Sequence, residues 1–207
     1  MTKTRYVIAL AAVLVLSGCL NGARAPIATT YYTLEYSPPG PVSPAPAESV
    51  LRLERLESLL DPAGRDMLYR SSPFIRDTYR YHRWHAPPTD IVQGLLLRDI
   101  RSSGLFRAIL SPGESGEAHY ILTGQVEEFL QRDDQEKPMA MLAISMTLVD
   151  VSGTAGASKV ILQKTYRLAE PIDVPQPLDF ARGMSAAMNR FSRALLSDMA
   201  GALNGRP

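Results

Sequence analysis

Two periodicities divide this chain between them. Alternation of apolar and polar residues, which puts every second side chain on one face of a strand, recurs from residue 30 onward. Thr30–Tyr36 places Tyr32, Leu34 and Tyr36 together, and Ser49–Leu56 sets Leu51 and Leu53 against Arg52 and Glu54. Asp66–Arg70 is a short strand beyond the Asp61-Pro62-Ala63-Gly64 turn. Phe74–Trp84 follows, with Phe74, Arg76, Thr78, Arg80, His82 and Trp84 on one face and Ile75, Asp77, Tyr79, Tyr81 and Arg83 on the other. Neither face is cleanly apolar, so this strand is expected at a sheet edge or under a partner. Leu105–Leu110 and His119–Gln131 are the next strands, the latter pointing Tyr120, Leu122 and Val126 to one side. Met139–Val151 carries the clearest alternation: Leu142, Ile144, Met146 and Leu148 line one face. Across a Gly153–Gly156 turn, Lys159–Leu168 returns with Val160, Leu162, Tyr166 and Leu168 on its inner side. The last three strands predict an antiparallel meander.

Spacing of three and four residues marks two helices. The first begins at Pro87-Pro88-Thr89, with Thr89 as the expected N-cap, and carries Ile91, Val92, Leu95, Leu96 and Ile100 to a Gly104 cap. The second fills Asp179–Leu203, with Phe180, Met184, Ala187, Met188, Phe191, Leu195, Met199 and Leu203 in one stripe. The sum is an α+β fold: a single, mostly antiparallel sheet with two amphipathic helices packed on its one apolar face. Between the first two strands, Ser37–Ala47 holds five prolines in eleven residues. That density excludes a helix and favours an extended surface loop.

The N-terminus changes this picture from a free domain to a tethered one. Lys3 and Arg5 precede an uncharged apolar run of about 11 residues, Tyr6–Leu16, which ends in Ser17-Gly18 and the only cysteine, Cys19. Such an order of charge, short apolar run and small residues is a secretory signal, and the run is too short to span a bilayer comfortably. Leu16-Ser17-Gly18-Cys19 resembles the bacterial lipobox, which implies cleavage before Cys19 and lipidation of its thiol. Residues 1–18 are thus read as signal peptide, 19–29 as a lipidated tether and 30–207 as the domain. Several acyl chains give stable anchoring where one gives only marginal binding. Leu20, rather than an aspartate, follows the cysteine, which by resemblance to enterobacterial sorting implies the outer membrane, on its periplasmic face, over the inner.

Removing the signal takes away Lys3 and Arg5, which leaves 20 basic residues of the chain's 22 against 21 acidic ones. A balance this close to neutral carries no footprint for nucleic acid, and no polybasic cluster addresses an anionic membrane surface. One cysteine excludes an internal disulfide. Gly113-Glu114-Ser115-Gly116-Glu117 misses the hydrolase elbow at its last position and lacks the strand-to-helix context. His82 and His85 lie three apart on or beside a strand, where they diverge, and His119 is distant in sequence. Asp133-Asp134 lacks EF-hand spacing. Met146, Met184, Met188 and Met199 fall on core stripes. No catalytic residue, metal site or cofactor is expected beyond the covalent lipid on Cys19.

Several motifs coincide with these patterns. Tyr31-Tyr32-Thr33-Leu34 follows the tether, Met67-Leu68-Tyr69-Arg70 follows Asp61-Pro62, and Tyr81-His82-Arg83-Trp84-His85-Ala86-Pro87-Pro88 opens the first helix, with Leu105-Phe106 after it. Over about residues 30–200 the chain resembles the ABC-type transport auxiliary lipoprotein family, which includes the lipoprotein of paraquat-inducible systems. Arg-Trp-x-x-Pro is the sharpest of these motifs, and His85 stands where the family often has alanine. The resemblance implies a non-catalytic periplasmic subunit of a lipid-transporting ABC system, partnered by an MCE-domain protein, a permease and an ATPase. A structural lipoprotein of outer-membrane assembly or the cell wall is the alternative, and homo-oligomerisation is left open. Trp, Tyr and Arg dominate interface hot spots, so Tyr79, Tyr81, Arg83 and Trp84 are the expected partner contact. Trp84 has a second reading, as a cap on the core where the strand meets Pro87.

Overall fold

The computed structural model describes residues 27–42, 49–59, 64–133, 136–153 and 157–205. Nine strands and two helices follow one another as β1 (Thr30–Tyr32), β2 (Val50–Leu53), β3 (Glu57–Ser58), β4 (Asp66–Ser72), β5 (Ile75–Trp84), α1 (Pro88–Ser103), β6 (Ala108–Leu110), β7 (Tyr120–Arg132), β8 (Met139–Asp150), β9 (Lys159–Pro171) and α2 (Pro177–Asn204). The fold is α+β, as the two periodicities predict. Cys19, the Asp61-Pro62 step and most of the Gly153–Gly156 turn lie outside the described residues.

β7 is the spine of the sheet. Along one edge it pairs antiparallel with β8, which pairs antiparallel with β9. The other edge is shared by three short strands in turn: β2 at Tyr120–Leu122, β3 at Gln125–Val126 and β4 at Gln131–Arg132. All three run parallel to β7. The sheet is therefore mixed: its long pairings are antiparallel and its short ones parallel. Alternation alone sets which face a side chain takes, not which way the neighbouring strand runs. Beyond β4 the sheet continues through β5, antiparallel to β4, and ends on β1, parallel to β5.

One buried cluster joins the inner face of this sheet to both helices. Leu51, Leu53, Leu122, Val126, Leu142, Ile144, Met146 and Leu148 are buried, as is every member of the predicted α2 stripe. Two irregularities move residues from their expected places. A bulge between Val126 and Glu128 inverts the alternation of β7, so that Phe129 is buried beyond it. A second bulge in β9 lets Leu162 face Leu148 while Val160 faces Val149. Val160, expected inside, is thereby turned to solvent at 54% exposure. α1 starts one residue before Thr89, with Pro87 at the N-cap and no side-chain cap. Thr89 is instead buried within the first turn, where proline at the helix start already removes an unpaired N–H. Gly104 ends the helix at φ 68°, the left-handed cap that glycine takes without strain.

A buried carboxylate ties the helices to the segment after β1. Asp99, fully buried on α1, accepts hydrogen bonds from the Tyr36 hydroxyl and the Ser192 hydroxyl, both at 2.5 Å. Arg98 Nε adds a third at 2.9 Å. Burial, reinforced by the bond to Asp99, raises the pKa of Tyr36. The sequence carries a signal for this node: Asp99 sits between Leu96 and Ile100 on the apolar stripe of α1, and Ser192 beside Phe191 on that of α2.

Candidate docking surface

The β4–β5 hairpin departs most from regular structure. Between the pairs Asp66–Arg83 and Leu68–Thr78 a single residue of β4, Met67, opposes four of β5, Tyr79–His82. A bulge of that size interrupts the ladder and leaves carbonyls to be satisfied elsewhere. Arg83 satisfies two of them. Its Nη1 donates to the Tyr79 carbonyl at 2.7 Å and to the His82 carbonyl at 3.0 Å. Its Nε meets Asp66 at 2.9 Å across the strand pair. Arg83 thus braces the hairpin from within.

The rings beside it form a chain. Tyr69 packs on Tyr79 at 5.1 Å, and Tyr79 meets the edge of His82 at 6.2 Å. His82 Nδ1 lies 3.0 Å from the Tyr32 hydroxyl. Buried Gln131 donates from Nε2 to the Tyr79 hydroxyl at 2.8 Å and to the Asp133 carboxylate. Burial is the main cause that pushes Tyr79 up to about 12; nearby Asp133 acts in the same direction and the Gln131 bond against it.

Trp84 is not part of any surface. It is fully buried, edge-on to Phe129 at 5.2 Å and to Phe180 at 5.3 Å, and so joins β5 to β7 and α2. The core reading of this tryptophan holds, and its expected place in a partner contact is corrected. It is the last residue of β5, where the strand leaves the hairpin and meets the body. Its indole Nε1 is buried with no hydrogen-bond partner. Of the four residues expected together, Tyr79 and Arg83 are half-buried and engaged internally, and Tyr81 keeps 36% of its surface exposed. The alternation missed the residue that stands out most. Phe74, 97% exposed, occupies the two-residue turn Pro73-Phe74 between Ser72 and Ile75. A proline immediately before it was the available signal.

The remaining candidates do not converge. His119 Nδ1 accepts the Val50 N–H at 3.2 Å and so fastens β2. His85 donates its backbone N–H to Tyr32. Ser115 lies in an exposed loop, where Ser111 N–H donates to Glu114 at 2.6 Å and Arg52 donates to the Gly116 carbonyl. Among the described residues no three His, Cys, Asp or Glu side chains gather as a metal site. A groove of about 670 Å³ opens between β1 and the start of α2, lined by Tyr31, Tyr32, Glu35, Leu178 and Ser185. The outer sheet face is polar: Ser145 bonds Glu127 and lies 2.7 Å from Thr165, and Arg167 pairs with Glu127 at 3.2 Å.

Residues 32–195 match the family described as the ABC-type transport auxiliary lipoprotein component, and the chain belongs to that family. Among solved structures, protein XCC0632 from Xanthomonas campestris is 18% identical, with a TM-score of 0.71 over 86% of this chain and 100% of that one. An uncharacterized protein gives 13% identity and a TM-score of 0.61 over 83% of this chain and 99% of its own. The hypothetical protein CT253 from Chlamydia trachomatis gives 10% and 0.53 over 77% and 100%. These likenesses are likenesses of fold. No curated protein matches the chain.

Proposed function

We propose that this protein is the non-catalytic, lipid-anchored subunit of an MCE-type ABC transport system for lipids, held in the outer membrane through Cys19. The observation that carries the reading is the family match over residues 32–195, joined to a lipobox-like Leu16-Ser17-Gly18-Cys19. In this reading the protein acts by position. Its anchor sits in one membrane, and its folded body receives the MCE-domain protein that a permease and an ATPase in the other membrane support. Tyr81, on the flank of β5, is the proposed partner contact, and Tyr79 and Arg83 hold the strand that presents it. The polar outer sheet face and the ring bonds of His82 and His119 favour a docking role over chemistry.

A pull-down from detergent-solubilised envelopes tests this, with full-length protein beside a Cys19→Ala control. The expected result is recovery of an MCE-domain protein with its permease and ATPase, reduced in the control. Recovery of barrel-assembly or cell-wall proteins without an MCE partner overturns it in favour of a structural lipoprotein.

A further inference from the structure

The described residues leave nine large apolar side chains exposed, and strand directions show where they collect. β4 runs parallel to β7 and pairs with its last residues, so the β4–β5 turn lies at the end of the sheet where β7 stops. β8 begins and β9 ends there, since Met139 pairs with Pro171, and α2 starts from the same end. Phe74, Ile75, Val174 and Leu178 therefore lie at this end, at 97%, 54%, 49% and 47% exposure, and Ile27, 64% exposed, comes before β1. Tyr31, Tyr81 and Leu59 stand further back along the sheet, and Val160 lies at its opposite end. Scattered exposed apolar residues need no explanation, but a group confined to one end of a domain marks a contact.

The chain itself says what that contact is. β1 runs parallel to β5, with Thr30 beside His82. Its N-terminal side therefore points down toward Ile75 and the turn, and the exposed residues Ile27–Thr29 lead into it. Cys19 is eight residues before Ile27, which limits it to at most about 29 Å away. Ile75 to His82 spans about 23 Å if extended. The chain thus enters β1 from the side of the apolar turn, and Cys19 lies within reach of that turn.

We propose that this end of the molecule rests on the bilayer that holds the Cys19 lipid, with Phe74 and Ile75 dipping into its interface. The inference rests on the lipid-anchor reading above. Phe and Ile at a two-residue turn enter the boundary between headgroups and acyl chains without exposing a long run of backbone. Arg76, exposed beside them, has an apolar stem and a cationic head that suit the headgroup layer. Contact at two points, lipid and turn, fixes the orientation of the domain, which contact at the lipid alone does not. Tyr81 then stands above the membrane.

Lipidation consumes the only native thiol, so a Phe74→Cys variant offers one site for a polarity-sensitive fluorophore. The lipidated protein is placed in phosphatidylethanolamine–phosphatidylglycerol vesicles with and without brominated acyl chains, and Leu59→Cys serves as an exposed control. The expected result is a blue shift and at least about twofold bromine quenching at position 74, and neither at position 59, for protein that floats with the vesicles. Flotation without quenching at position 74 overturns the turn contact and leaves the anchor standing. Failure to float removes the anchor, and the inference with it. A blue shift that persists in detergent without bromine quenching overturns the inference in favour of a protein partner or a second copy on the turn.

Discussion

The β7–β8–β9 meander with α2 and the β1–β5–β4 arm belong to one sheet but are held by different forces. In the meander, twelve residue pairs join β7 to β8 and twelve join β8 to β9, each ladder with one register shift. Its inner face meets a helix whose eight predicted stripe residues are all apolar and buried. In the arm the ladder breaks twice within β4–β5, and the main fully buried apolar anchors are Met67 and Trp84. What replaces packing there is a set of polar contacts: Arg83 on two carbonyls, Gln131 on Tyr79, Tyr32 on His82. A region built on burial gains from regularity. A region built on individual bonds is free to take an irregular shape, and this one uses that freedom to carry Phe74 outward.

If the arm hangs on its apolar anchors, Trp84 is the place to break it. Trp84→Ala leaves a large cavity among Phe129 and Phe180 and is expected to cost about 3–5 kcal/mol in urea unfolding. Trp84→Phe is expected to cost less than half of that, because the indole N–H has no bond to lose. Equal costs for the two would show that the nitrogen matters. Next in size is Asp99→Ala, expected to cost about 3 kcal/mol. It leaves the Tyr36 and Ser192 hydroxyls, which converge on Asp99, without their acceptor in the interior. A loss below about 1 kcal/mol would mean that water replaces the carboxylate.

The same contrast explains what could be read in the sequence. All eight α2 stripe residues, and Leu142, Ile144, Met146 and Leu148 of β8, are where their periodicity puts them, because burial of one face writes a period into the chain. Val160 failed because a bulge is a single extra residue with no residue type of its own. The parallel pairing of β2, β3 and β4 to β7 left no trace, since a parallel neighbour and an antiparallel one bury the same face. Arg83 could not be assigned from alternation either: its task is to satisfy carbonyls that are free only because the strand bulges. Trp84 was legible as a residue with two roles, and only its surroundings decide between them.

Glycine replacements sharpen the comparison at smaller scale. On α2, a Cβ at Gly183 would meet Ile172 Cγ2 at 2.6 Å and Ala140 Cβ at 3.0 Å. Gly183→Ala is expected to cost about 1–2 kcal/mol, since overpacking exceeds the helix propensity gained. On α1, nothing lies within 4 Å of a Cβ at Gly94, and the residue is exposed. Gly94→Ala is expected to stabilise by up to about 1 kcal/mol. Opposite signs in thermal unfolding confirm that α2 lies tight on the sheet; a gain at both sites would show that it does not.

Alkali tests how firmly the arm buries the Tyr79 phenol. Tyr79 is pushed up to about 12, chiefly by burial, while an unfolded tyrosine ionises near 10. Below pH ~10 both states hold the phenol proton, and the contribution of this group is fully present. Between about pH 10 and 12 the unfolded chain has lost the proton and the folded one keeps it, so stability falls as pH rises. Tyr36 and Tyr166 are raised in the same direction, each mainly by burial, and add to the fall. Tyr79→Phe removes one of these groups and one acceptor of the Gln131 amide. Its urea midpoint is expected to decline less steeply than that of the unaltered protein across this window, although it starts slightly lower at neutral pH. Parallel declines in the two proteins would mean that Tyr79 ionises as freely in the folded arm as in the unfolded chain. The phenol would then be open to water rather than buried in the arm, and the arm's shape would rest on Trp84 and Met67.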